Sequence, residues 1–248
     1  MKTNQLVDYT RQILQPERFR DYCPNGLQVE GRSDVFKIVT GVTASMALLE
    51  VAHAKSADLV LVHHGYFWRG EDERIVGIKR SRLKFLLDHN INLLAYHLPL
   101  DAHAEYGNNV QLGRVMGIAV EGWAGEQNMV AYGSLPVSIR LDAFCEQLGA
   151  QLSRPPMSIG DAGKQVKRVA WCTGGAQDYI ETAISLGVDV FISGEISEQT
   201  VHLARESGVA YIAAGHHATE RYGVQALGRH LASHFSLQHE FIDIDNPV

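Results

Sequence analysis

Two adjacent imidazoles, His63 and His64, close the apolar run Leu59-Val60-Leu61-Val62 and are followed at once by Gly65. Imidazole near neutral pH is both a metal ligand and a proton carrier, so its placement is informative. Neighbouring side chains diverge at a strand end, and a bend at Gly65 would let the pair serve two ions, or one ion and a substrate. Another apolar run, Ile91 to Tyr96, is followed by His97 and, four residues on, by Asp101. The spacing recurs at His216 and Glu220, after the run Val209 to Ala214 and Gly215. If a helix starts there, residues at i and i+4 share one face. Glu195 follows a further run, Asp189 to Ile192. Taken singly, each has an ordinary role: Glu195 could cap a helix, and His103 and His217 could be solvated loop residues. Together they form a nitrogen and oxygen donor set suited to zinc, manganese, iron or nickel. The donors outnumber the needs of one tetrahedral ion, and a carboxylate can bridge two, so the set predicts two divalent ions per chain.

Those residues need elements to hold them. From Lys37 the pattern reads as a strand (Ile38 to Val42), a helix with Ala44, Ala47, Leu48, Val51 and Ala52 on one face, and the Leu59 strand, which is a βαβ unit. A helix with Leu83, Leu86 and Leu87 and the strand Ile91 to Tyr96 extend it. Ahead of it, residues 4 to 14 carry a helical stripe ending before Pro16, and Asp21-Tyr22-Cys23-Pro24-Asn25-Gly26 reads as a turn before a short strand at Leu27 and Val29. After Lys164 the plan returns. Val169 to Thr173 lies 131 residues beyond Ile38 to Val42 (169 − 38), and Asp189 to Ile192 lies 131 beyond Asp58 to Leu61 (189 − 58). His216 and Glu220 lie 119 beyond His97 and Asp101 (216 − 97, 220 − 101). The stretch between has a different character, with a strand at Met129 to Leu135 and a helix around Leu141 to Leu148.

The expected organisation is an α/β chain of two similar, interlinked βαβαβ-type halves. Residues 1–121 form the first half with its N-terminal helix, 122–163 a linking subdomain, and 164–248 the second half. Parallel strands with right-handed connections bind ligands beyond their carboxyl ends. His63, His64, His97, Asp101, Glu195, His216 and Glu220 all fall there, so halves that face each other would hold a metal site between them.

Composition narrows the function. An apolar fraction of 46% over 248 residues supports a proper core, and no apolar run reaches the roughly 20 residues that span a bilayer. The N-terminal residues lack an apolar signal core, which predicts a cytoplasmic protein with no membrane partner. A net charge of −6 leaves no basic surface in bulk for a phosphate backbone, which argues against duplex nucleic acid. Cys23, Cys145 and Cys172 stand far apart with no Cys-x-x-Cys spacing, arguing against both a disulfide framework and a thiolate zinc site.

The strings DYCPNGLQVEG, VTGVTAS, VHHGYFW, YHLPLD, CTGGAQ, SGEISEQT, AGHHATE and FIDIDNP resemble the NIF-three-like family, the type 2 GTP cyclohydrolase I homologues, from about Leu6 to Val248. The short middle segment resembles the compact bacterial form. The resemblance implies two linked, similar α/β domains, a toroidal homohexamer and a di-metal site in each subunit. It also implies the ligands: His64 and Asp101 on one ion, His63 and His216 on the other, and Glu220 bridging, with His97 beside the site. His217 stands where many relatives carry an aromatic residue.

The implied activity is metal-dependent opening of the imidazole ring of GTP or a related, damaged purine nucleotide. A dinuclear hydrolase of another bond, such as a phosphoester, is an alternative, as is a metal-binding regulatory scaffold without turnover. By position, His97 is the first candidate to carry a proton to the departing ring nitrogen and Glu195 the second. Tyr66 or Trp68 could stack on a base, and Lys79, Arg80 and Arg82 could meet a phosphate, though all five have ordinary structural roles open to them.

Overall fold

The computed structural model describes residues 1–248. In chain order the main elements begin with α1 (Thr3–Leu14), β1 (Gly26–Val29), β2 (Lys37–Thr43), α2 (Met46–Ala54), β3 (Leu59–His64), α3 (Gly77–Asp88), β4 (Asn92–Ala95) and α4 (Leu98–Ala102). They continue with α5 (Asn108–Met116), β5 (Gly122–Ala124), β6 (Val130–Arg140), α6 (Leu141–Leu152), β7 (Met157–Ile159), β8 (Gln165–Trp171) and α7 (Ile180–Leu186). The last are β9 (Val190–Ser193), α8 (Glu198–Ser207), β10 (Ala210–Ala213), α9 (His216–Phe235) and β11 (Gln238–Phe241).

The chain divides into two compact units, one of residues 1–106 and 223–245, the other of residues 107–222 and 246–248. In the first unit the sheet order is β1-β4-β3-β2-β11, parallel except for β1. The central strand β3 is buried on both faces: Val60 and Val62 join one apolar cluster, Leu59 and Leu61 another. Its unbroken apolar run follows from that double coverage. In the second unit the order is β5-β6-β8-β9-β10-β7, with parallel pairing between β8, β9 and β10 and antiparallel pairing of β5 with β6, β6 with β8 and β7 with β10.

Residues 122–163, read from the sequence as a linking subdomain, are not a separate body. They supply β5, β6 and β7 to the second sheet, and Phe144, Leu148 and Leu152 of α6 to its core. At the other end, residues 223–245 belong to the first unit, where β11 pairs in parallel with β2 and Val224, Leu227 and Leu231 of α9 fill the core. An apolar stripe says that a helix packs but not which sheet receives it.

The internal repeat is visible in the register. Ile38 pairs with Leu59 and Val169 with Val190, both pairs offset by 131 (169 − 38, 190 − 59). The third strands are offset by 118, since Leu59 pairs with Asn92 and Val190 with Ala210 (210 − 92). Each half also carries a carboxylate at the start of its second strand, buried at Asp58 and half-buried at Asp189. Asp58 Oδ2 accepts from the backbone N–H groups of Phe36 and Lys37 at 2.7 and 2.9 Å, while Arg32 Nη1 donates to its Oδ1 at 2.6 Å. Asp189 Oδ2 accepts from the N–H groups of Lys167 and Arg168, both at 2.8 Å.

These clamps tie a strand start to its neighbour and fix the pairing register, in which a one-residue slip would turn every side chain to the wrong face. Asp58→Ala strands two backbone donors and a guanidinium, and should lower unfolding stability by about 3 kcal/mol in a urea titration. A loss within experimental error of zero would show that the clamp contributes nothing.

Candidate metal centre

In the first unit, β3 carries His63 and His64 to its end. His63 is fully buried, and its Nδ1–H donates to the Tyr96 carbonyl at 2.9 Å. A carbonyl only accepts, so the neutral ring carries its lone pair on Nε2, which lies 3.4 Å from Asp101 Oδ1. His64 Nδ1 is held by Thr43 Oγ1 at 3.1 Å. The two rings do not diverge as strand geometry alone predicts: their centroids are 4.6 Å apart. Ring nitrogens of His63, His64 and His97 all fall within 4.8 Å of one another.

His97 is placed by the loop that the sequence offers only as a turn. Its Nδ1 lies 2.7 Å from Asp21 Oδ1, and its backbone N–H donates to Asn25 Oδ1 at 2.7 Å. Asp21 Oδ2 accepts from the Leu98 N–H at 3.0 Å, which closes the start of α4, and from Asn25 Nδ2 at 2.8 Å. Burial opposes the charge of Asp21, but His97, Asn25 and the Tyr22 N–H outweigh it and hold the carboxyl below its usual range. Asp21 and Asn25 position His97, a duty that local turn chemistry hid. The only signal was a carboxylate and an amide in a motif otherwise explained by Pro24 and Gly26.

In the second unit, α9 begins at His216, so His216 and Glu220 do share a helical face, with Nε2 and Oε2 3.2 Å apart. Glu195 Oε1 lies 2.7 Å from His216 Nδ1 and orients the ring. Two glycines make room. A Cβ at Gly174 would sit 2.1 Å from Glu220 Oε1, and the φ of +72° at this residue suits glycine; a Cβ at Gly194 would sit 2.6 Å from the Gly174 carbonyl. Burial disfavours a charge on His216, yet Glu220 and Glu195 prevail and push its pKa up to about 9.

Some expected contributors have other duties. Tyr66 is buried and donates to the Ala44 carbonyl at 2.8 Å, so it is core and offers no face to a base. His103 Nδ1 accepts from the N–H groups of Glu105 and Tyr106 at 3.1 and 3.0 Å, and its ring stacks on Tyr106. His217 is buried, and Lys79 pairs with Glu71 at 2.7 Å. Trp68 does flank the site, its ring edge-on to His97 at 4.9 Å.

The donor set fits divalent metals. His63, His64 and His216 each have Nδ1 engaged by a carbonyl, hydroxyl or carboxylate, the arrangement that orients the ring of a metal-binding histidine and turns Nε2 outward. Groupings of these histidines with aspartate and glutamate could hold a metal ion.

Fold and site together define an α/β protein of the Duf34/NIF3 (NGG1p interacting factor 3) family, which matches over residues 1–247; the chain belongs to that family. It is 56% identical over 246 residues to the "GTP cyclohydrolase 1 type 2 homolog" of Pseudomonas aeruginosa, covering 98% of this chain and 97% of the relative. It is 51% identical to the protein of the same name in Escherichia coli K12, covering both in full. Among solved structures it is similar to one described as "Structural genomics, protein ybgI, unknown function", with a TM-score of 0.97, 51% identity and full coverage of both chains. It is also similar to the protein TTHA1606 of Thermus thermophilus, with a TM-score of 0.89, 34% identity and full coverage of both. No helix is long and apolar enough to cross a membrane.

The pKa of His216 has a consequence for the metal-free protein. The ring gains its carboxylate partners only on folding, so its contribution to stability is complete below about pH 6.5, the unfolded value, and fades as pH rises towards about 9. The thermal midpoint of chelator-treated protein should therefore fall across that window more steeply than that of His216→Gln. Parallel curves for the two proteins would contradict the assignment.

Proposed function

We propose that His63, His64, Asp101, His216 and Glu220 bind two divalent ions, and that the protein hydrolytically opens the imidazole ring of GTP or a related purine nucleotide with one water and releases formate from the resulting formamide with a second. The observation that carries the reading is the engagement of Nδ1 in three imidazoles, which leaves Nε2 of each as the atom to meet an ion, His216 giving up its proton as the ion binds. The substrate class rests on the name that the relatives carry.

Two divalent ions, when bound, supply a Lewis acid and a water whose pKa is lowered towards about 7, which the poorly electrophilic carbon between the ring nitrogens requires. The chain's own residues do the rest. Asp21 holds His97 at Nδ1, so the ring keeps one orientation and delivers or receives a proton through Nε2 to the departing ring nitrogen. Glu195 serves His216 in the same way and is the second proton carrier, since its carboxyl is part exposed. Trp68 walls the site beside His97 and limits water there.

Reconstituted wild type should bind two equivalents of metal per chain and release formate from a purine nucleotide, with Asp101→Ala losing metal and turnover together and His97→Ala losing at least tenfold in rate. Fewer than one equivalent would rule out the metal set. Two equivalents with no formate from any purine nucleotide would point instead to a hydrolase of another bond, such as a phosphoester, or to a regulatory scaffold. Full rate in His97→Ala would refute its proton role.

We also propose a closed homohexamer, by resemblance to the family. Light scattering should give six times the 27.4 kDa chain mass, and a monomer at micromolar concentration would contradict it.

A further inference from the structure

Cys23 has no part in the set above, yet the loop that positions His97 also positions its sulfur. A ligand atom from each of Asp21, Cys23 and His97 lies within 4.8 Å of the other two. The Asp21 side chain is 4% exposed and that of His97 15% exposed. The loop is pinned around them: Arg69 N–H donates to the Tyr22 carbonyl at 2.6 Å, Arg69 Nη2 to the Asp21 carbonyl at 2.9 Å, and Gln28 Nε2 to the Pro24 carbonyl at 2.8 Å. Three donors of different hardness are thus held by backbone contacts, not by one another alone.

The thiol is not poised for redox chemistry. Burial and the Asp21 charge push its pKa up to about 12, so at neutral pH it is an inert S–H. A thiophilic cation reverses both effects, since it supplies the positive charge that a half-buried thiolate beside a carboxylate lacks. We propose that Cys23, Asp21 and His97 form a third metal site, separate in its donors from the proposed dinuclear set, that takes a thiophilic divalent cation such as Zn²⁺ with one position open to water.

The ion enters between His97 Nδ1 and Asp21 Oδ1, where it replaces the proton they share. With metal–nitrogen and metal–oxygen bonds of about 2.0–2.1 Å and a tetrahedral angle, that gap opens from 2.7 Å to roughly 3.3 Å, an adjustment of side chains only. Cys23 closes the triad with a longer bond of about 2.3 Å. The proton balance is simple: the thiol proton goes to solvent, and the proton on His97 Nδ1 moves to Nε2 as Nδ1 gives its lone pair to the ion.

That shift gives the site a regulatory reading, which rests on the proton role proposed for His97; the binding itself rests on the triad alone. With Nδ1 ligated and Nε2 protonated, His97 can neither accept a proton nor turn. Excess thiophilic metal then inhibits, while the same metal at two equivalents activates.

Cobalt(II) separates the sites, because a cobalt–thiolate bond gives an intense near-ultraviolet charge-transfer band and the dinuclear set contains no sulfur. Titrating the full chain should show weak visible bands for two equivalents and the thiolate band only with a third. Cys23→Ser should lose that band and the third equivalent but keep the first two, with Cys23→Ala as a second variant if the serine protein misfolds. Asp101→Ala should keep the thiolate band. Excess Zn²⁺ should inhibit formate release at least tenfold in wild type and leave Cys23→Ser unaffected. No thiolate band at any loading, or a band that survives both Cys23 substitutions, overturns the site. A normal thiolate band without two further equivalents instead refutes the dinuclear reading and leaves this one standing. Equal Zn²⁺ inhibition of wild type and variant overturns the regulatory part.

Discussion

An imidazole has two nitrogens but, when neutral, only one lone pair, and the geometry of the candidate site depends on which nitrogen faces outward. His63 is settled by the Tyr96 carbonyl, His64 is held by Thr43, and His216 by Glu195. In each case the contact is to Nδ1, so the outer nitrogen is the one presented. The partners come from different sources: backbone just past a strand, a hydroxyl on a neighbouring strand, a carboxylate in a loop. What they share is an origin at strand ends, where parallel pairing brings several loops to one edge.

Parallel pairing in turn depends on register, which is why the carboxylates Asp58 and Asp189 matter far from the site. Each reads two successive backbone N–H groups at the start of the neighbouring strand. A slip of one residue in β3 would send His63 to the face where His64 should be. The two aspartates hold equivalent places in the halves, so the repeat preserves the register device as well as the strands. Arg32 adds a charge to Asp58, whereas at Asp189 the second lysine-bearing loop contributes differently: Lys164 Nζ donates to the Asp189 carbonyl at 2.6 Å.

Much of this was legible in the sequence because it is periodic or abrupt. Double burial of β3 shows as an uninterrupted apolar run, and the ends of β3, β4, β9 and β10 show as sudden histidines and carboxylates. The 131-residue offset was readable because the connection between the first two strands keeps its total length, although its helix does not. Assignments that depend on long-range packing were not readable: the sheet that takes residues 122–163, the return of α9 and β11 to the first unit, and the contact of Asp21 with His97, 76 positions away. Cysteine spacing is silent on Cys23 for the same reason, since it detects sulfur pairs and not a thiol whose neighbours are an aspartate and a distant histidine. Tyr66 stayed open between core and base platform because an aromatic beside a site looks the same in sequence whether it faces inward or outward.

The two halves end their third strands with the same four-residue spacing and yet build different chemistry from it, and one residue accounts for the difference. The strands are offset by 118, but His97 and His216 by 119, so the second half carries one extra residue before its histidine. That residue is Gly215, with φ at +100°, a conformation costly to other residues. It lets the chain turn before the histidine, so that α9 starts at His216 and the ring lies above Glu220 on one helical face. In the first half there is no such residue. His97 must make the turn itself, outside α4, with φ −96° and ψ −108°. Its ring therefore leaves the helical face and goes to Asp21, and Asp101 is left to meet His63. Lengthening one loop by a glycine turns an i, i+4 pair from two residues with separate partners into a histidine and carboxylate that act on each other.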